Sequence, residues 1–273
     1  NQIFDVYART YRQNKLPNEK VKVVLIDDYS LNLYSDVLGR WPWPRAIYQD
    51  VISFINLGEP KAILFDILFS EDDILNQVDD VFAAAMKDAG NVHLGGLFSN
   101  ELYKKYSRKI PENINQQFKL KVQESINYLD IHSFDNHYLP IPILLSQSKS
   151  LPIVTFSADN DGIMRRNSVL FKYDQSYFPS LATSALLELS ESKDISYDMT
   201  TNHIKIGDYE VPINHKGEVI LNHYPLGFNP YSISGLISSW QYVLEGDLDK
   251  ILVNPSEFED AIVIIGASAM GLH

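Results

Sequence analysis

The sequence has no cysteine among its 273 residues, which excludes thiol nucleophiles, thiolate zinc sites and disulfide bonds. No run reaches the roughly 18 consecutive apolar residues that a membrane-spanning helix requires. Basic residues are few, since 23 Lys and Arg stand against 35 Asp and Glu and the net charge is −12. This charge argues against nucleic acid or an anionic membrane surface as the main partner.

The composition is otherwise that of a folded globular chain that can bury its own core. Because the chain begins at Asn1 rather than at a methionine, we expect it to be a piece of a longer protein. Residues 1–16 predict an amphipathic lead-in helix, in which Ile3, Tyr7 and Tyr11 share one face. That stripe either pairs with a second protomer, as a homodimer contact and signal conduit, or packs on its own domain.

Alternating apolar strands and amphipathic helices predict an α/β fold for residues 17–273. Strands at 21–26 and 62–65 flank a helix that begins at Pro44 and ends at Gly58, so both strands should be parallel. We expect a single mixed, mostly parallel central sheet with helices on both faces. The other predicted elements are helices at 79–87, 116–129, 179–189 and 233–244, and strands at 92–97, 153–156, 169–173, 203–206, 209–213, 218–224 and 261–265. Residues 98–138 are polar and locally basic, and we interpret them as an insertion.

The best candidate for a site is the carboxyl edge of the predicted sheet. If the first two strands are neighbours, Asp27, Asp28 and Asp66 leave the sheet together there, where open α/β sheets bind ligands. Arg45 lies one residue inside the helix predicted to begin at Pro44. These charges either line a ligand site or form a structural ion-pair network that fixes the loops.

An aromatic, proline-rich run precedes that helix. Arg40 is followed by Trp41 and Trp43, each with a proline after it that restricts the backbone to extended conformations. The run is a candidate for the wall of an apolar pocket or for a contact patch with a second subunit. The alternative is simple packing over the sheet edge.

Acidic residues cluster after the second predicted strand. Calcium or magnesium favours such oxygen ligands, but the spacing matches no complete loop motif, and acidic runs are usually solvated. We therefore expect no resident metal, and Asp27 and Asp66 are the candidate ligands if a divalent cation binds. The acids in this region are Asp66, Glu71, Asp72, Asp73, Asp79 and Asp80.

A glycine-containing turn, G-A-S-A-M-G at 266–271, follows the last predicted strand. Met270 stands where a nucleophile elbow requires its last glycine. Ser268 stands where a dinucleotide loop requires its second glycine. We expect a tight turn that brings Ser268 near Asp27 and Asp66.

Several motifs stand in a characteristic order along the chain. They are V-V-L-I-D-D-Y-S-L at 23–31, G-R-W-P-W-P-R at 39–45, I-L-F-D-I-L-F-S at 63–70, D-N-D-G-I-M-R-R at 159–166, F-P-S-L-A at 178–182 and I-V-I-I-G-A-S-A-M-G-L at 262–272. Together they resemble the second type of CHASE domain, the cyclase and histidine-kinase associated sensory extracellular domain. Ser70 ends the third motif and joins the site candidates. Residues 98–138 lie outside the resemblance.

The resemblance implies a non-catalytic, periplasmic sensor domain of a bacterial inner-membrane receptor, tethered by flanking helices. In that family the output is a nucleotide cyclase, a histidine or Ser/Thr kinase, or a diguanylate cyclase or phosphodiesterase. The implied partner is a small ligand, an ion or a periplasmic protein. Two other hypotheses stay open: a metal-assisted hydrolase that uses Asp27, Asp28 and Asp66, and a free solute-binding protein.

Overall fold

The structure is a computed structural model that describes residues 16–73, 75, 77–100, 110–156, 159, 161–221 and 227–269. Ile3, Tyr7 and Tyr11 of the predicted lead-in helix lie outside these residues. The first half contains β1 (Val21–Ile26), α1 (Asp28–Leu33), α2 (Ser35–Leu38), α3 (Ala46–Asn56), β2 (Ala62–Asp66), α4 (Val78–Ala89), β3 (Val92–Leu94), β4 (Leu97–Ser99), α5 (Glu112–Phe118), β5 (Ser133–Phe134) and β6 (Asn136–Tyr138). The second half contains α6 (Pro142–Leu145), β7 (Arg166–Ser168), β8 (Leu170–Tyr173), β9 (Ser176–Pro179), α7 (Leu181–Leu189), β10 (Ile195–Asp198), β11 (His203–Ile206), β12 (Tyr209–Pro212), β13 (Glu218–Ile220), β14 (Tyr231–Ser232), α8 (Ile233–Glu245) and β15 (Ile262–Ala267).

Five parallel strands form the central sheet in the order β14-β1-β15-β2-β3. The first two strands of the chain are therefore parallel, as predicted, but they are not neighbours. The last strand lies between them, with Ile262 opposite both Val21 and Ala62. A strand buried on both faces and paired along both edges is apolar throughout, as β15 is, but its composition does not say which strands flank it.

Helices cover both faces of this sheet. Alternate residues point to opposite faces, so Ile63 and Phe65 pack with α3, α4 and α8 on one side. On the other side Ala62 and Leu64 pack against Leu181 and the rest of the apolar face of α7. None of the helices in the described ranges is long and apolar enough to cross a membrane.

The other strands form small separate sheets, so the prediction of a single mixed sheet is not confirmed. They pair as β4-β6, β13-β7, β5-β8-β9 and β10-β11-β12. The predicted hairpin is present, since β11 and β12 pair antiparallel around Gly207. The strand predicted at 92–97 is divided into β3 and β4, which belong to different sheets. The chain leaves the central sheet at Gly95. A Cβ atom there would lie 2.8 Å from the Phe65 carbonyl oxygen, so this position requires glycine.

The polar segment 98–138 contributes to the core where the structure describes it. The prediction of one helix at 116–129 is wrong, because α5 ends at Phe118 and a separate 3-10 helix follows at Glu124–Tyr128. Buried apolar side chains fix both pieces. Phe118 packs in a cluster with Phe98, and Ile126 packs with side chains of β8 and β11.

Candidate functional site

A cavity of about 600 Å³ lies at the carboxyl edge of the central sheet. Asp66, the last residue of β2, and Ala267, the last residue of β15, both line it. Of the residues predicted from sequence, the cavity brings together Trp41, Trp43, Arg45, Asp66 and Ser70. Asp27, Asp28, Arg40 and Ser268 are not among its lining residues.

The Trp-Pro run forms one wall of the cavity. Trp43 is only 2% exposed and packs edge-on against Tyr34 and Trp41, with ring centroids 6.0 and 5.9 Å away. The peptide bond between Trp41 and Pro42 is cis. The same two rings therefore pack in the core and line the cavity.

Arg45 lies inside an ion-pair network of the kind that the sequence allows as the alternative to a ligand site. Its guanidinium donates to the Asp79 carboxylate at 2.5 Å and to the Glu71 carbonyl oxygen. Its backbone N–H donates to the Asp73 carboxylate at 2.8 Å. The guanidinium also lies 5.3 Å from the centre of the Phe69 ring. The acidic run thus holds the loop after β2 around Arg45.

Asp27 has a different role at the same edge. Its carboxylate caps α1 by accepting the Ser30 N–H at 2.8 Å, and it also accepts the hydroxyls of Ser30 and Ser232. Burial opposes ionisation, but these hydrogen bonds outweigh it and lower the pKa of Asp27 below its ordinary value. Asp27 therefore ties the end of β1 to the start of α8.

The remaining predicted residues lie around this cap. Asp28 in α1 and Arg40 after α2 are exposed. Ser268 is exposed as well, and its backbone N–H donates to the Ile26 carbonyl oxygen at 3.0 Å. The predicted edge is thus divided into the cavity, between β15 and β2, and the Asp27 cap, between β1 and β14.

Other parts of the cavity wall were not singled out in the sequence. Tyr48 and Phe69 line it from a tight aromatic cluster, with ring centroids 5.4 Å apart. Val154 and Phe156 line it from the chain that follows α6, outside the central sheet. The apolar spacing of α3 indicates that Tyr48 is buried, but no local signal places Phe156 at the sheet edge.

No group of three metal-ligating side chains is found within the described ranges. The sequence allowed Asp27 and Asp66 as ligands of a divalent cation. Asp27 is instead directed to the hydroxyls of Ser30 and Ser232, and Asp66 lines the cavity beyond β15.

An open parallel sheet with helices on both faces and a cavity at its carboxyl edge defines an open α/β domain. The CHASE2 domain family matches residues 1–273, and the chain belongs to this family of sensory extracellular domains. The resemblance of the sequence motifs is thereby confirmed, and the family match also includes residues 98–138, which lie outside those motifs. Comparison with curated proteins and with solved structures gave no match.

Proposed function

We propose that this domain is the non-catalytic, periplasmic sensor of a transmembrane receptor and that it binds a small ligand in the cavity at the sheet edge. The observation that carries the proposal is the place of the cavity, at the carboxyl ends of β2 and β15 in a domain of a sensory family. Open α/β sheets bind ligands at this edge. Its volume, about 600 Å³, falls in the range of small-molecule sites.

The cavity lies between two parts of the domain. Asp66 and Ala267 belong to the central sheet, whereas Leu97, Val154 and Phe156 belong to the region beyond it. A ligand that contacts both parts favours the arrangement in which both walls reach it. Binding energy is thereby converted into a change of relative position.

The signal would leave through β15, which pairs with β1 on one side and with β2 on the other. Its last residue, Ala267, lines the cavity. We further propose that the receptor is a homodimer, in which Ile3, Tyr7 and Tyr11 of the predicted lead-in helix meet the same stripe of a second protomer. The solution mass of the chain with and without residues 1–14 tests this, and two monomeric samples would refute it.

The hydrolase hypothesis requires Asp27, Asp28 and Asp66 to act together on one metal. Asp27 is hydrogen-bonded to Ser30 and Ser232, and the described residues contain no three-ligand group. We therefore favour the sensor. Thermal melts in calcium, magnesium and EDTA separate the two hypotheses, since a metal-dependent enzyme is stabilised by its metal.

The decisive experiment fills the cavity in the intact receptor. Ser70→Trp places a large ring among the lining residues and should abolish the response of the output domain. Ser256→Trp is the matched control, because Ser256 is exposed in the 3-10 helix Pro255–Phe258 that precedes β15 at the opposite edge. If Ser70→Trp folds and signals like the control, the cavity is not the sensing site.

A further inference from the structure

The cavity has an acidic lining. Its carboxylates are those of Asp66, Glu71, Asp72 and Asp73, and Arg45 is the one basic residue among the described lining residues. A concave surface that carries one sign of charge focuses its field and attracts ligands of the opposite sign. The formal charges thus favour a cation over an anion.

Arg45 does not offer its charge to a ligand, because its guanidinium is already engaged. It forms an ion pair with Asp79 at 2.5 Å, donates to the Glu71 carbonyl oxygen and lies against the Phe69 ring. Arg45 is also buried, with 8% of its surface exposed. Its charge is therefore balanced within the protein by Asp79, which is not a lining residue.

Five aromatic side chains lie in the wall of the cavity. Trp41, Trp43, Tyr48, Phe69 and Phe156 all line the cavity. The faces of such rings carry negative electrostatic potential and attract organic cations, tryptophan most strongly. A bare metal ion gains little from a wall of this kind, whereas an ammonium group with carbon substituents gains from the rings and the carboxylates together.

Trp43 gives a second and independent indication of a ligand. Its indole Nε1 is buried, and within the described part of the chain it has no hydrogen-bond partner. Buried donors are nearly always paired in folded proteins. A ligand with an acceptor oxygen would complete this donor.

We propose that the cavity binds a small organic cation, an amine or quaternary ammonium compound that also carries an acceptor oxygen. The proposal rests on the function proposed above and specifies the ligand class of the same site. The cationic group meets the carboxylates of Asp66 and Asp72 and the tryptophan faces, and the oxygen meets the indole of Trp43.

Binding can be followed by intrinsic fluorescence. The chain has three tryptophans, of which Trp41 and Trp43 line the cavity and Trp240 lies in α8. Trp240→Phe therefore leaves only the cavity indoles as reporters. The probes are choline and ethanolamine, each at millimolar concentration, with 3,3-dimethylbutan-1-ol as the neutral isostere of choline, and with propionate and calcium chloride as further comparisons.

Choline or ethanolamine should change the emission in a saturable and salt-sensitive manner, and the neutral isostere should bind at least about tenfold more weakly. Asp66→Asn and Asp72→Asn should each weaken binding about fivefold, the size expected for one partly exposed charge pair. Asp88→Asn is the matched control and should change nothing, because Asp88 is exposed near the end of α4 that leads into β3.

The proposal is overturned if neither amine binds, if the neutral isostere or propionate binds as well as choline, or if only calcium changes the emission. Failure of the ligand class is distinguishable from failure of the sensor proposal. When Ser70→Trp abolishes signalling but neither amine binds, the sensing site stands and the cation is wrong. When Ser70→Trp leaves signalling intact, the sensing site itself is wrong.

Discussion

The Arg45 guanidinium and the Asp79 carboxylate form a largely buried ion pair, with 2.5 Å between Nη1 and Oδ1. The pair joins the start of α3 to the start of α4. Asp79 also accepts the backbone N–H of Asp73 at 3.0 Å, and Asp73 in turn accepts the backbone N–H of Arg45. One charge pair thus fixes the loop that carries three acidic lining residues of the cavity, Glu71, Asp72 and Asp73.

Removing one member of this pair should be strongly destabilising. Asp79→Asn leaves the Arg45 charge buried without its carboxylate, and we expect a loss of about 3 kcal/mol in the free energy of unfolding. Urea denaturation measures it. Asp247→Asn is the control, since the pair of Asp247 with Lys250 has a similar distance, 2.6 Å, but is exposed. The control should change stability by less than about 0.5 kcal/mol. Equal effects of the two substitutions would contradict the assigned role of Asp79.

Stability should fall on mild acidification because of His93. Its side chain is 0% exposed in β3, and Nδ1 lies 2.7 Å from the Ser150 hydroxyl. Burial lowers the pKa of His93 to about 4, against 6.5 for the ordinary group, despite the Glu188 carboxylate 3.9 Å from Nε2. The folded state therefore holds His93 neutral, and the pair with Glu188 is not an ion pair at neutral pH.

The direction of the change in stability follows from the protons that the folded and unfolded states bind. Between pH 6.5 and 4 the unfolded state binds a proton at this residue that the folded state does not, so the stability contributed by neutral His93 is present above pH 6.5 and is lost as the pH falls towards 4. The slope should approach roughly 1.4 kcal/mol per pH unit at most. Unfolding at pH 7.5, 6 and 5 measures it. His93→Gln should flatten the curve, and the exposed His215→Gln should leave it unchanged.

Asp27 should matter for stability more than Asp28, although the two carboxylates are adjacent in the chain. Asp27→Ala removes the cap of α1 and the acceptor for Ser30 and Ser232, so we expect a loss of about 1–2 kcal/mol. Asp28→Ala removes an exposed carboxylate in the first turn and should have less than half of this effect. Asp27→Asn keeps an acceptor oxygen and should retain most of the stability. Equal losses for both alanine variants would disprove the capping role.

The elements with strong local patterns could be predicted from the sequence. The strand predicted at 21–26 is β1, and the helix predicted at 233–244 is α8, Ile233–Glu245. In both, burial on a sheet or on one helix face imposes a period that the residues carry by themselves. The order of the strands cannot be predicted from local patterns, because β15 pairs with β2 and β1, whose residues lie 200 and 241 positions earlier in the chain.

The site could be predicted only in part for the same reason. Asp66 lies at the cavity because it ends a strand of the sheet, and Trp41, Trp43 and Arg45 lie there because they precede α3, which packs on that sheet. The partner of Arg45 is Asp79, 34 residues further along, and nothing in its immediate sequence separates it from the other acids of the run. Asp27 is a candidate site residue in the sequence, and the structure shows that it also caps the short helix α1.

Gly58 lies near the end of α3, as the sequence predicts, but the structure requires glycine there for a reason other than helix capping. The sequence predicts it as the cap of α3, but the helix ends at Asn56, and the positive φ, 54°, belongs to Glu59. A Cβ atom on Gly58 would lie 2.0 Å from the Pro255 carbonyl oxygen. Gly58→Ala should therefore lower the free energy of unfolding by about 3 kcal/mol, because the backbone near Pro255 must move.

Gly235 provides the comparison, since its Cβ would meet only the Val253 side chain, at 3.5 Å, and it lies inside α8. Gly235→Ala should be neutral or stabilising by up to about 1 kcal/mol, because alanine favours the helix. Thermal and urea unfolding of both variants measure the difference. If Gly58→Ala is as stable as Gly235→Ala, the end of α3 does not press on the segment before β15.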